Sequence, residues 1–276
     1  MTLPNFIVIG PGKTGTTWLY QCLAEHPQIK LARNTKETFF FNDYYGRGSG
    51  WYEKFFENCE SASAIGEVSN TYFFSPEVPA RIAARLPNVK LIAFLRNPVE
   101  RLVSLYLFRR RNGLITGSLE DAIASDPTMV EQNFFDEHLA RYLEFFPREQ
   151  MFVALFDDLE ADPRKLLGQI YRFLGVDADF VPPAAGQKVL AANEPRNAGS
   201  FHLLKRFALW LRRNDFHRLL TWAKTNPLVL KILTRPVARE ARPVLEAETR
   251  ARLLALYRPH MARAADLLGR DLGGWM

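Results

Sequence analysis

The feature that most constrains this chain lies near its start. An apolar run, Phe6-Ile7-Val8-Ile9, breaks into Gly10-Pro11-Gly12-Lys13-Thr14-Gly15-Thr16-Thr17, and Thr16 to Glu25 then reads as a helix stopped by His26-Pro27. A strand that turns through glycines into a helix N-terminus builds an anion cradle. The glycines let backbone N–H groups close on phosphate oxygens, and the positive end of the helix dipole stands behind them. Lys13 adds a full charge, and the hydroxyls of Thr14, Thr16 and Thr17 add donors.

The same alternation continues. Val89 to Leu95 is apolar enough for a buried strand and is followed by Asn97-Pro98 and a helical stretch from Val99 to Arg110. Met151 to Phe156 is a third strand candidate, followed by Asp162-Pro163 and a helix to about Leu174. This order predicts an α/β fold: three α/β/α layers around a central parallel sheet, with a P-loop-like strand-loop-helix at its start. Ligands of such sheets bind at the carboxyl ends of strands, so the turns after Ile9 and Leu95 are the first places to look for chemistry. Residues 177–197 are rich in Pro, Ala and Gly and read as a long loop. We expect a single domain over 1–276, with 201–245 a basic amphipathic helical subregion and 246–276 a terminal helix and tail.

Hydrophobic residues make up 47% of the chain and charged residues 24%, a globular composition that excludes disorder. A net charge of +6 suits an anionic ligand, an anionic membrane or nucleic acid without choosing among them. Two cysteines, Cys22 and Cys59, exclude a disulfide framework, and the five histidines show no close pairing, so no metal is expected. No basic leader precedes the first strand and no apolar stretch approaches the ~18 residues of a membrane span, which leads us to expect a cytoplasmic protein.

The loop is not Walker A. That signature, G-x-x-x-x-G-K-[ST], would place its first glycine on Ile7, inside the strand. The strand ending at Leu95 leads to Arg96, a cation where magnesium would need a carboxylate. Asp157, after the third strand, keeps a nucleotide-dependent kinase open as an alternative.

Lys13-Thr14-Gly15-Thr16-Thr17-Trp18 resembles the 5′-phosphosulfate loop of sulfotransferases that use PAPS (3′-phosphoadenosine 5′-phosphosulfate), close to the K-S-G-T-T-W form of the cytosolic members. The resemblance implies that Lys13 contacts the 5′-phosphate and the bridging oxygen. It also implies that Thr14, Gly15, Thr16 and Thr17 hold the phosphate and that Trp18 stacks on adenine; packing of Trp18 in the core is the alternative. The family's second signature is a strand ending in Arg, then Asn/Asp-Pro, then Ser eight residues after the Arg, and Leu91 to Ser104 matches it throughout. This assigns Arg96 and Ser104 to the 3′-phosphate, with Lys188 and Arg196 as candidates for a third contact. The product would be PAP, adenosine 3′,5′-bisphosphate.

On the acceptor side, Lys36-Glu37-Thr38-Phe39-Phe40-Phe41, Trp51-Tyr52 and Gly66-Glu67-Val68-Ser69-Asn70-Thr71-Tyr72-Phe73 resemble the heparan-sulfate-type carbohydrate sulfotransferases. Those carry K-E-x-x-F-F, a W-Y pair and G/E-K-(S/T)-P-x-Y-F. Their glutamate is the general base, which places that role on Glu37, with His138 in reserve. Phe39 stands where many members have histidine and Val68 where they have lysine, so a heparan-like acceptor is not carried over. The resemblance spans roughly residues 6–175 and the tail around Leu268-Gly269-Arg270-Asp271-Leu272 and Trp275. It implies in-line sulfuryl transfer from PAPS to a hydroxyl or amine of a carbohydrate or glycolipid. Segment 203–213, with Lys205, Arg206, Arg212 and Arg213 among Phe207, Trp210 and Leu211, fits a docking helix with a basic solvent face or a peripheral contact with an anionic membrane. A nucleotide- or RNA-binding module is the remaining alternative; it would leave Glu37 and the Arg96/Ser104 spacing without purpose, so no nucleic-acid partner is expected.

Overall fold

The computed structural model describes residues 2–186 and 245–275, together with 193–195, 234–236 and a few positions between 207 and 229. In chain order the elements are β1 (Phe6–Gly10), α1 (Thr16–Glu25), β2 (Ile29–Leu31), α2 (Ser49–Glu53), β3 (Ala64–Val68), α3 (Val78–Arg85), β4 (Lys90–Leu95) and α4 (Pro98–Arg111). Then come α5 (Leu119–Ser125), α6 (Thr128–Glu131), α7 (Phe135–Leu143), β5 (Met151–Leu155), α8 (Phe156–Ala161), α9 (Pro163–Leu174), β6 (Asn193–Pro195), β7 (Thr234–Pro236) and α10 (Ala247–Leu268). The chain divides into two compact units: Met1–Arg101 with Gln132–Val189 and Arg252–Met276, and Leu102–Glu131 with Leu190–Ala251.

The first unit is built on a five-stranded sheet of order β2-β3-β1-β4-β5, parallel throughout. Its central strands are apolar on both faces because both faces are covered. Phe6, Val8, Ile92, Phe94 and Ala154 join Trp18, Leu19 and Leu23 of α1 and Leu166, Ile170 and Tyr171 of α9 in one buried cluster. The two-residue period of a strand sends Ile7, Ile9, Leu91, Ala93 and Leu95 to the opposite face, and these are buried as well. The α/β fold expected from the sequence is therefore the fold found. Local chemistry fixes the helices: α9 starts at Asp162, whose carboxylate accepts from the Lys165 N–H at 3.0 Å, followed by Pro163, and it ends on Gly175 at φ +81°.

β1 lies between β3 and β4, so the direction of winding reverses beside it, and the loop after β1 opens at this switch point. The C-terminal tail is tied to the segments that follow β4 and β5. Trp275 Nε1 donates to Asp157 Oδ2 at 2.7 Å, Asn97 Nδ2 donates to the Trp275 carbonyl at 3.4 Å, and Arg270 forks onto both oxygens of Asp158 at 2.8 Å. The hydrogen bonds from Arg270 hold the Asp158 carboxyl below its ordinary value. Asp157, the residue that kept a kinase reading open, is engaged by an indole.

The structure adds elements that local pattern did not announce. β2 is three residues long, and β3 carries Gly66 and Glu67 in its centre. Phe156 begins α8 instead of ending the strand before it. In the second unit, Asn193–Pro195 pairs antiparallel with Thr234–Pro236, a strand pair where a loop and a helical stretch were expected. Pairing between remote segments leaves no signature in the composition of either.

Gly66 faces Phe6 across the β1–β3 register, and a Cβ there would fall 2.5 Å from the Phe6 ring. Gly66→Ala should therefore cost about 1–3 kcal/mol in urea unfolding, as overpacking of a close-packed core does. Gly274→Ala, which meets nothing within 4 Å, should leave the midpoint unchanged. Equal midpoints for the two variants would contradict this packing.

Candidate active site

The phosphate loop is held from its carbonyl side. Thr14 Oγ1 donates to the Pro11 carbonyl at 2.7 Å, Arg101 Nε to the Gly12 carbonyl at 3.0 Å, and Arg96 Nη1 to the Lys13 carbonyl at 3.4 Å. In a trans peptide the C=O and the next N–H point opposite ways. Each anchored carbonyl thus turns the N–H that follows it, of Gly12, Lys13 and Thr14 in turn, away from its own donor. Lys13 adopts φ +75°, and Gly15, at φ +103°, is the N-cap of α1 with no side chain closing the helix end. A Cβ on Gly15 would fall 2.9 Å from Leu159 Cδ2, so the turn lies directly on α8. No acidic residue occupies the first turn of α1. Together these features form a cradle for an oxyanion.

Arg101 is a residue that sequence reasoning missed. It is 1% exposed, sits 5.0 Å from the Phe74 ring centroid, and donates to Asn133 Oδ1 at 2.8 Å as well as to the loop. Asn133 in turn donates to Tyr257 Oη at 3.3 Å. A positive charge is therefore fixed behind the cradle. Arg96, at the tip of β4, lies 4.3 Å from the Phe156 ring centroid and 3.8 Å from Glu100. Asn97 starts α4 by accepting from the N–H groups of Val99 and Glu100 at 3.0 and 3.2 Å.

The candidate base lies beside this loop. Lys36 Nζ donates to Thr17 Oγ1 at 3.2 Å, and burial lowers the Lys36 ammonium below its ordinary value against the opposing charge of Glu37. Glu37 Oε1 accepts from Asn70 Nδ2 at 2.6 Å, and the Glu37 carbonyl accepts from Thr35 Oγ1 at 2.8 Å. The next residue, Thr38, is buried and donates to Glu67 Oε2. Glu67 is the centre of a buried hydroxyl shell. Tyr52 Oη donates to Oε1 at 2.9 Å and Ser69 Oγ to Oε2 at 3.2 Å, while Tyr72 Oη lies 3.1 Å from Thr38 Oγ1. Burial pushes the Glu67 carboxyl up, opposed by those hydroxyl donors. Phe40 stacks on Tyr52 at 4.3 Å, which packs the aromatic run against α2. Asn70, a second residue the sequence reading passed over, occupies the place of the proline in the carbohydrate-type pattern, and a proline could not make its bond to Glu37. That mismatch was the available signal.

Other expected site residues are placed as follows. The Thr14 hydroxyl is buried and serves the loop itself; Thr16 is buried at the start of α1, and Thr17 is exposed. Trp18 is 5% exposed within the core cluster, with Nε1 donating to the Ala185 carbonyl at 3.5 Å. Ser104 is half-buried on α4, in the second unit. His138 is buried on α7 against the rings of Phe73 and Phe74, with Nδ1 against the Arg141 guanidinium. Lys188 and Arg196 lie outside the described residues. Among the described residues no group of three or more His, Cys, Asp or Glu is placed to hold a metal ion.

Residues 3–193 match the family model of the sulfotransferase domain. The chain belongs to the sulfotransferase family. It is 30% identical to the human bifunctional heparan sulfate N-deacetylase/N-sulfotransferase 3 over 99% of this chain and 31% of that protein. It is 40% identical to the membrane-associated sulfotransferase kil1 of Dictyostelium discoideum over 48% of this chain and 30% of that one. The chain thus spans under a third of the length of these relatives. A sulfotransferase from Alicyclobacillus acidocaldarius superposes with a TM-score of 0.73 at 24% identity, covering 100% of this chain and 99% of its own, which shows the shared fold. Family membership implies PAPS as donor and PAP as product.

The relatives also correct one expectation. The cytoplasmic placement is overturned, because kil1 is membrane-associated by name and the human relative is named for heparan sulfate. The lack of an apolar leader or span bears only on the residues in which it was sought. Among the described residues, no helix is long and apolar enough to cross a membrane.

Arg101→Met leaves the Gly12 carbonyl and Asn133 Oδ1 without their donor. Stability should fall by about 1–3 kcal/mol for each acceptor left unpaired. The rise in melting temperature caused by PAP should shrink with it, because the loop N–H groups lose their fixed direction. A variant with a lower melting temperature but an unchanged PAP response would show that Arg101 serves the fold alone.

Proposed function

We propose that the chain acts as one PAPS-dependent sulfotransferase domain, moving the sulfuryl group in line to a hydroxyl or amine of a carbohydrate or glycolipid acceptor. One observation carries the reading: Lys36 touches Thr17 of the phosphate loop, and Glu37, beside it, is hydrogen-bonded to Asn70. A proton acceptor thus stands next to an oxyanion cradle, as transfer to a protonated nucleophile requires.

In this reading the Glu37 carboxylate takes the proton of the attacking oxygen or nitrogen as its bond to sulfur forms and the bond from sulfur to the 5′-phosphate oxygen breaks. Lys13 and the loop N–H groups, with Gly15, Thr16 and Thr17, stabilise the charge that grows on the departing phosphate. Thr14 acts through its backbone, its hydroxyl being used inside the loop. Arg96 and Ser104 bind the 3′-phosphate, with Lys188 or Arg196 as third contact, and Trp18 borders the adenine. No metal is required for these steps. The names of the relatives support a glycan acceptor.

The same proposal extends to segment 203–213 as a peripheral contact with an anionic membrane. Phe207 and Trp210 are more than half exposed and stack at 5.9 Å, Trp210 stacks on Phe216 at the same distance, and kil1 is a membrane-associated relative.

Melting temperatures with PAP, ATP plus magnesium, and an RNA oligomer separate this reading from a kinase and from an RNA-binding module; PAP alone should raise it. Labelled PAPS offered with glycan, glycolipid and phenolic acceptors then identifies the acceptor. Glu37→Gln should lower kcat by roughly 10²–10⁴-fold with PAP binding unchanged. Retention of more than about a tenth of the activity would place the base elsewhere, with His138→Gln the next variant to make.

A further inference from the structure

We propose that Asn70 is a positioning residue that aims the Glu37 carboxylate and fixes its place relative to the phosphate loop. The inference rests on the reading of Glu37 as the base. Asn70 touches both halves of the site. Its Nδ2 donates to Glu37 Oε1 at 2.6 Å, and its backbone lies where a Cβ on Gly10 would be, 2.5 Å from the carbonyl oxygen and 2.9 Å from Cα. Its own Cβ is 3.6 Å from the Cβ position of Gly12. The neighbouring backbone is bound to β1, with the Ser69 N–H on the Val8 carbonyl at 2.9 Å and the Phe73 N–H on the Ile9 carbonyl at 3.0 Å. Asn70 is therefore in fixed register with the start of the cradle.

The orientation of its amide points to the carboxylate as its purpose. Turned over, the amide would set Oδ1 against Glu37 Oε1, two acceptors that repel. As it stands, Oδ1 is buried with no hydrogen-bond partner. Buried polar atoms are nearly always paired, and an amide that only filled space would settle where both ends were satisfied. Here one end is left unpaired so that the other can serve Glu37. The backbone of the base is pinned separately, by Thr35 on the Glu37 carbonyl and by Thr38 in the Glu67 shell. What Asn70 adds is the direction of the side chain. In this proposal Oε1 stays with the amide and Oε2 takes the acceptor's proton.

The test is a double-mutant cycle on the full chain. It reads transfer of labelled sulfate from PAPS into a mixed glycan, glycolipid and phenol pool, and PAP release by water when the pool is omitted. Asn70→Ala should lower kcat roughly 10²-fold, the scale of a misplaced reacting group, with the donor KM and the PAP melting shift unchanged. Asn70→Asp keeps the shape and the packing on Gly10 but turns the donor into an acceptor, and should lose at least as much. This second variant decides the matter if Asn70→Ala fails to fold. In a Glu37→Gln background, Asn70→Ala should cost less than about threefold more, because residues that act as a unit are not additive. A further loss near 10²-fold in that background, or near-normal kcat in Asn70→Asp, would overturn the role of Asn70 and leave Glu37 standing. Near-normal activity in Glu37→Gln alone would instead overturn the base on which the inference rests.

Discussion

Arg101 donates to the Gly12 carbonyl from a position sealed inside the first unit, and the candidate donor site depends on that bond. A glycine-rich turn has no intrinsic reason to present its N–H groups in one direction, since glycine samples both signs of φ readily. Tying the carbonyls of Pro11, Gly12 and Lys13 to fixed donors removes that freedom. Each following N–H then points away from the donor of its carbonyl before any ligand arrives, which is the preorganisation that makes fixed dipoles effective on a developing charge. The helix end capped only by Gly15 completes the arrangement.

The Glu37 region is registered to this loop through a second set of contacts. The segment after β3 crosses beneath Gly10, and a side chain at Gly10 would collide with the Asn70 backbone. Glu67, buried beneath, holds Thr38 and through it the backbone of Glu37. Four hydroxyl groups, those of Thr38, Tyr52, Ser69 and Tyr72, act on the buried carboxyl of Glu67. Two carboxyl groups of one site thus have different surroundings: Glu67 is ringed by hydroxyls, and Glu37 is met by the Asn70 amide.

The parts of this arrangement that were legible in the sequence are those encoded by neighbours along the chain. Phe6 to Thr17 spelled out strand, turn and helix, and Leu91 to Ser104 did the same for β4 and α4. β2 and β3 were not legible, because three residues carry no periodicity and a strand holding Gly66 and Glu67 breaks the apolar pattern. Arg101 left no signal in the sequence, and Asn70 left only its mismatch with the proline of the carbohydrate-type pattern; in both cases the partner is remote along the chain. Arg101 sits in the helical stretch after Asn97-Pro98, and its partner is a backbone carbonyl 89 residues away. Asn70 is 33 residues from the glutamate it serves. The cytoplasmic expectation failed because it generalised from residues in hand to a property they do not determine.

We propose that the backbone N–H groups of the loop, fixed by the anchored carbonyls, receive the 5′-phosphate of the nucleotide. A crystal structure of the PAP complex measures this directly. The 5′-phosphate oxygens should lie within hydrogen-bond distance of the N–H groups between Gly12 and Thr17, with the Arg101–Gly12 bond intact. A 5′-phosphate bound away from those N–H groups, or bound only after the Gly12 carbonyl has left Arg101, would contradict it.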